Sequence, residues 1–172
     1  MAHYETILDG KVDQKLLTEL FDYIDGNLVW KVNRGRLAKS GQVAGHLDEK
    51  AGYIRTCVKG KLYLLHRLIY LYHFGIVPDC IDHINGNPLD NRIENLREAS
   101  KQENCLNRGF NKNNTSGVKN VSWHKGKQKW GVSITVYGKK KHLGDYEDLE
   151  LAELIAEEAR NKFYGSFART VQ

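Results

Sequence analysis

Residues 129–137 alternate with a period of two. Trp130, Val132, Ile134 and Val136 fall on one face of an extended chain, and Gly131, Ser133, Thr135 and Tyr137 on the other. That is the pattern of a strand with one buried side, and such a strand needs a cover. Strand-like runs at 117–123 and 140–146 flank it, the second joined through Tyr137-Gly138-Lys139. The cover follows. From Asp148 to Tyr164, Ala152, Ile155, Ala156, Ala159 and Phe163 recur at helical spacing, while Glu150, Glu153, Glu157 and Glu158 take the opposite side. Asp148 is the expected N-cap. These residues predict a three-stranded antiparallel sheet packed on one helix.

The first sixty residues read differently. Short β-rich runs, such as Leu28-Val29-Trp30 and Tyr53 to Val58, are broken by Asp25-Gly26-Asn27 and by Gly41, Gly45, Gly52 and Gly60. Lys59-Gly60-Lys61 is a predicted hairpin turn before Leu62. Leu16, Leu17, Leu20, Phe21 and Ile24 have helical spacing within a helix predicted from Asp13, and the apolar run His66–Phe74 predicts a short buried helix ending at Gly75. Ser100-Lys101-Gln102-Glu103 has the form of a capping box, opening a helix expected to end near Arg108-Gly109. The polar stretch Asn111 to Gly117 reads as a linker. The expected domains are therefore 1–110 and 111–172.

Composition limits the function. At 41% hydrophobic residues the chain has enough apolar surface to fold, and it lacks the ~18-residue apolar run of a membrane span. The leading MAHYETILDGK has neither the basic nor the apolar region of a secretory signal, so a cytoplasmic protein is expected. Cys57, Cys80 and Cys105 contain no closely spaced pair. They read as reduced thiols, with Cys80 and Cys105 in the core, and not as a disulfide or zinc framework. The net charge of +5 is unevenly spread: residues 109–145 hold eight basic groups and one acid, whereas residues 61–108 hold six of each. A basic segment of this kind suits a polyanion or a solvated lysine-rich face.

The near-neutral segment holds the chemistry-bearing residues: Asp82-His83-Ile84-Asn85-Gly86-Asn87, then Asn91-Arg92-Ile93-Glu94-Asn95-Leu96-Arg97, then Asn104. A carboxylate beside an imidazole ends a predicted strand. A polar loop, a second short strand and a helix follow, and the first turn of that helix can present an amide oxygen. Hard divalent cations take oxygen ligands, and Mg²⁺ is held by few protein groups with phosphate and water. A cation on Asp82 and Asn104 would offset charge developing on a phosphodiester. His83, on the other face of the strand, has the side-chain chemistry of a general base near neutrality. His66 reads as a structural residue of its helix.

Asp82-His83, Asn95 and Asn104, with His66-Arg67-Leu68 and the Gly75–Pro78 step upstream, resemble the ββα-metal motif of the HNH nucleases, in particular the phage-type homing endonucleases. The resemblance implies His83 as general base, Asp82 as metal ligand and Asn95 as the residue that ties the strands together and orients His83. Asn104 stands where the family name has its last His, with Asn107 one turn further as a competitor. The implied cofactor is a divalent metal, Mg²⁺ with Mn²⁺ as the alternative, and no organic cofactor is implied.

Ser116-Gly117-Val118, Trp130-Gly131-Val132-Ser133-Ile134-Thr135 and Leu143-Gly144-Asp145-Tyr146, ahead of an Ala-rich helix, resemble the APETALA2-type DNA-binding domain. The resemblance implies a sheet face laid in the major groove. Lys119, Trp123, Lys125, Lys129, Ser133, Thr135, Lys139, Lys140, Lys141 and His142 are the candidate DNA contacts. Lysine in place of arginine favours phosphate contacts over base reading. Trp130 shares the inward face, and Trp123 suits either role.

The resulting expectation is an α+β protein: a ββα-metal nuclease core with a β-rich N-terminal leader, then a three-stranded sheet on one helix. Its expected activity is metal-dependent hydrolysis of double-stranded DNA, as a monomer or a homodimer. The rivals are a DNA-binding regulator whose motif does not cut and, less favoured, an RNA-binding module. The basic sheet lacks the stacked aromatic pair of single-strand RNA platforms.

Overall fold

The computed structural model describes residues 4–5, 7–8, 11–35, 38–109 and 113–168. The architecture is α+β, with six small antiparallel sheets and four α-helices among the described residues. Two compact units divide at residues 1–100 and 101–172, so the helix after Ser100 groups with the second unit, not with the first as the expected boundary at 110 had it.

In the first unit, helix α1 (Gln14–Leu20) begins where the Asp13 carboxylate accepts from Leu16 N at 2.8 Å, filling one of the unpaired N-terminal donors. The helical spacing of the sequence runs on through Phe21 and Ile24, but the helix stops at Leu20 and Phe21–Ile24 is a strand. Long-range contacts decide this. Phe21 is fully buried, its ring 4.2 Å from that of Trp30, and the strand pairs with Asn27–Trp30 around Asp25-Gly26, both with positive φ. Ile24 stays exposed. The same hairpin props a later loop: the Tyr23 hydroxyl accepts from Ile93 N at 2.9 Å, and a Cβ on Gly26 would come within 2.8 Å of Arg92 N.

Lys59-Gly60 forms the expected turn between Tyr53–Val58 and Lys61–Leu64, with His46–Asp48 on the far edge. Helix α2 (Leu65–Phe74) follows directly and ends at Gly75, whose left-handed backbone lets its N–H reach Leu71 O. Leu65, Leu68, Ile69 and Leu71 are fully buried, each worth roughly 1.5–3 kcal/mol of transfer free energy. This helix anchors the core of the unit. Its Arg67 Nη1 donates to Pro78 O at 3.1 Å, holding the chain just before the strand Ile81–His83. That strand pairs antiparallel with Leu96–Glu98, setting Asp82 opposite Arg97 and His83 opposite Leu96.

In the second unit, helix α3 (Lys101–Leu106) is shorter than expected and has no buried residue. Cys105 on it is exposed and Cys80 is half-buried, so neither is the core thiol that was expected. Of the predicted linker, residues 111–112 lie outside the described residues. The remainder is a tied turn: Asn114 Oδ1 accepts from Ser116 N and Gly117 N, and Asn114 Nδ2 donates to Val118 O. Polar composition suggested a loose segment, but Asn and Ser side chains supply the hydrogen bonds that a turn needs. The sheet Val121–His124, Lys129–Val136, Lys139–Tyr146 has the expected order. Helix α4 (Leu149–Tyr164), capped by Asp148, buries Ala152, Ala156 and Ala159, and the core holds Val132 and Ile134. Among the described residues no helix is long and apolar enough to cross a membrane.

Candidate active site

The first unit brings an imidazole, a carboxylate and a guanidinium together on two paired strands. His83 is buried at the end of Ile81–His83, and its Nε2 lies 3.0 Å from Asn91 Oδ1. Asn91 Nδ2 donates to Leu89 O at 3.4 Å, which directs the amide oxygen at the ring. In the neutral imidazole the proton therefore sits on Nε2 and the lone pair on Nδ1. His66 meets the His83 ring edge-on at 5.1 Å. Burial, helped by the charges of His83 and Arg67, pushes His66 down to about 3, so it stays neutral near pH 7 and packs as an aromatic wall. Tyr53 stands 5.5 Å from His66.

Asp82, also buried, receives Arg97 Nε at 2.8 Å and Nη2 at 2.6 Å on Oδ2. The pair follows from the ladder register, which sets the two residues opposite each other. The ring nitrogen of His83 is met by Asn91, where the sequence pointed to Asn95. Asn95 instead braces the loop between the strands, accepting from Asn85 N and donating to Asn85 Oδ1 and Asp90 O. Asp90 is gripped by Arg92 through two bonds of 2.9 and 2.7 Å, and these bonds hold its carboxyl well below the usual carboxylate range. The loop carrying Asn91 is thus fixed by its own Asn, Asp and Arg side chains.

Residues 63–106 match the model of a family described as HNH endonuclease. Protein 3.8 of Escherichia phage T7 is 40% identical over 89 residues, covering 52% of this chain and 73% of that protein. The chain belongs to one family with protein 3.8 and carries an HNH endonuclease domain. An uncharacterized HNH endonuclease, L560, of Acanthamoeba polyphaga mimivirus is 32% identical over 122 residues, covering 69% of this chain and 62% of that one. No solved structure matches. The HNH segment contains Asp82, His83, Asn91, Asn95, Arg97 and Asn104. Asn104 lies on α3, as does its neighbourhood up to Leu106, and Asn107 follows it. Sequence reasoning missed the roles of Asn91 and Arg97. Strand register would have disclosed Arg97; Asn91 had no signal beyond being one polar residue in a polar loop. Among the described residues no group of three His, Cys, Asp or Glu side chains could hold a metal.

The candidate DNA contacts of the second unit separate by strand parity. Register places Lys129, Ser133, Thr135, Lys140 and His142 on the outer sheet face, with His124, Gly131 and Asp145. Trp123 takes the other parity: it pairs with Trp130, rings 4.8 Å apart and edge to face. Lys139 and Lys141 oppose Val136 and Ile134 and so share their side, and Lys141 Nζ stands 5.1 Å over Phe163. Lys119 Nζ donates to Leu106 O at 2.7 Å. Lys125 lies exposed in the turn between the first two strands. Lys139 and Lys141 therefore do not share the outer face with the other candidate contacts, and Trp123 takes the inner of the two positions open to it.

Proposed function

We propose that this chain is a metal-dependent endonuclease that hydrolyses phosphodiester bonds in double-stranded DNA, with the homing-type character that its sequence resembles. The observation that carries the reading is the buried His83 imidazole, held through Nε2 by Asn91 beside the Asp82–Arg97 pair, inside the HNH segment. Nδ1 of His83 takes the proton from an attacking water, because Nε2–H is committed to Asn91. Arg97 fixes the direction of the Asp82 carboxylate, and Asn95 keeps the loop in register so that Asn91 stays on the ring.

The donor chemistry fits a hard cation. Asp82 offers a carboxylate oxygen within the first unit, and Mg²⁺ needs few protein ligands because it retains water and phosphate. Asp82 would hold it, with Mn²⁺ as the substitute. When bound, the cation supplies electrostatic stabilisation of the phosphodiester and its leaving oxygen. The outer face of the second unit's sheet, with Lys129, Lys140, Ser133 and Thr135, grips the duplex chiefly through phosphates.

A supercoiled plasmid tests the activity. Nicked or linear product should form in Mg²⁺ and vanish with excess chelator. Binding without any strand scission in Mg²⁺ or Mn²⁺ would instead establish the non-cutting regulator.

A further inference from the structure

Rings from three different elements meet at His83. His83 ends the strand Ile81–His83, His66 lies on α2, and Tyr53 opens the strand Tyr53–Val58. The two imidazole centroids are 5.1 Å apart with planes at 78°. Tyr53 stands 6.3 Å from His83 at 42° and 5.5 Å from His66 at 51°, so it meets both. The imidazoles are buried and the phenol ring is half-buried. Tyr53 lies outside the matched residues 63–106, in the β-rich leader.

A tied turn fixes where Tyr53 stands. Its ladder partner Asp48 accepts from Gly52 N at 2.7 Å on the carbonyl oxygen and from Ala51 N at 3.1 Å on Oδ1. Asp48 Oδ2 lies 3.2 Å from Arg55 Nε on the same strand as Tyr53. Gly52 closes the turn with a φ of +72°, a backbone that glycine takes without steric cost.

The Asn91 bond alone does not hold the His83 ring. Nε2 lies closer than Nδ1 to the axis of rotation about Cβ–Cγ, so a bond at Nε2 resists that rotation weakly while Nδ1 swings. Contacts on the faces and edges of the ring stop the swing. His66 supplies one through an edge-on contact, and Tyr53 braces His66 as well as His83. Aromatic pairs at these separations prefer defined mutual orientations, which aliphatic packing does not impose.

We propose that Tyr53 is a positioning residue of the nuclease site, whose ring, supplied from outside the HNH segment, braces His66 and His83 and keeps Nδ1 of His83 aimed at the attacking water. The inference rests on the reading of His83 as the base. It adds that residues 63–106 do not carry a complete site by themselves.

The test uses the full chain and two readouts, with Tyr53→Ala and Tyr53→Phe. The first readout is single-turnover plasmid cleavage in Mg²⁺ at saturating enzyme, beside duplex affinity in chelator. Tyr53→Ala should cleave at least about tenfold more slowly, because a misaimed base is costly, with affinity within about twofold of wild type. Tyr53→Phe keeps the ring and should return the rate to within about twofold of wild type. The second readout is the Nε2–H resonance of His83 in a nitrogen-correlated imidazole spectrum, without metal or DNA, assigned by its loss in His83→Gln. Tyr53→Ala should broaden it, and Tyr53→Phe should restore it. Amide resonances of the same samples report folding. If Tyr53→Ala is unfolded, Tyr53→Leu, which refills the space without a ring, takes its place with the same expectations. A variant without the ring that cleaves at the wild-type rate overturns the inference. So does one that slows while the His83 resonance is untouched, and so does Tyr53→Phe if it is as slow as Tyr53→Ala. If the wild-type chain does not cleave, the nuclease reading fails, and the His83 resonance alone decides whether Tyr53 holds the ring.

Discussion

Asn91 accepts the Nε2–H of His83 at 3.0 Å while its own amide hydrogen is spent on Leu89 O. An asparagine eight residues from the histidine therefore selects which imidazole nitrogen can act as base. Replacing Asn91 with Leu removes the acceptor and frees the ring to change tautomer. Loss of a buried hydrogen bond of this kind costs about 1–3 kcal/mol, which, if it falls on the transition state, converts to about fivefold to 150-fold in cleavage rate. Duplex affinity should stay within twofold. Single-turnover cleavage alongside anisotropy checks this, and an unchanged rate would remove Asn91 from the mechanism.

The Asp82–Arg97 pair makes a stability prediction. Both side chains are largely out of solvent, and removing one partner of a buried pair leaves the other uncompensated, at a cost of about 3–5 kcal/mol. Arg97→Ala should lower the urea midpoint accordingly. The double variant Asp82→Ala/Arg97→Ala should recover part of the loss. If Arg97→Ala alone matches wild type in urea, the pair contributes nothing.

Much of this was legible beforehand, and the reasons differ by region. The alternation around Trp130 and the Ala-rich spacing of α4 are local periodicities, and each reported its element to within a few residues. Asp82 and His83 were legible as a pair because an acid beside an imidazole is a chemical signal. What escaped depends on contacts distant in sequence. Phe21 left the helix because Trp30 offered it a partner. Asn91, not Asn95, met His83 because of how the loop closes. Lys139 and Lys141 fell on the helix side because register, and the irregularity between Val132 and Ser133, sets parity.

His66 gives the protein a specific sensitivity to acid. Burial pushes its imidazole down from the ordinary value to about 3. As pH falls below 6.5, the unfolded chain takes up a proton that the folded one refuses, so stability is lost on acidification. The slope approaches ~1.4 kcal/mol per pH unit and ends near pH 3. Urea denaturation at pH 7 and pH 5 should show a loss about 2 kcal/mol smaller in His66→Gln than in wild type. Equal losses would mean that His66 titrates normally.

Gly26 links the fold to the site. Its φ of +79° and the 2.8 Å approach that a Cβ would make to Arg92 N leave no room for alanine. Gly26→Ala should destabilise by about 1–2 kcal/mol or more and should also slow cleavage, since Arg92 adjoins Asn91. A variant that loses stability yet cleaves at the wild-type rate under folding conditions would show that the hairpin does not position the loop.

The central claim is that His83 is the base. The decisive measurement pairs plasmid cleavage in Mg²⁺ with duplex binding in chelator, for wild type and His83→Ala. The account predicts that cleavage falls by at least a hundredfold, the low end of a general base's contribution, while the dissociation constant for duplex stays within about twofold. Cleavage by His83→Ala at the wild-type rate, with Mg²⁺ still required, would contradict it.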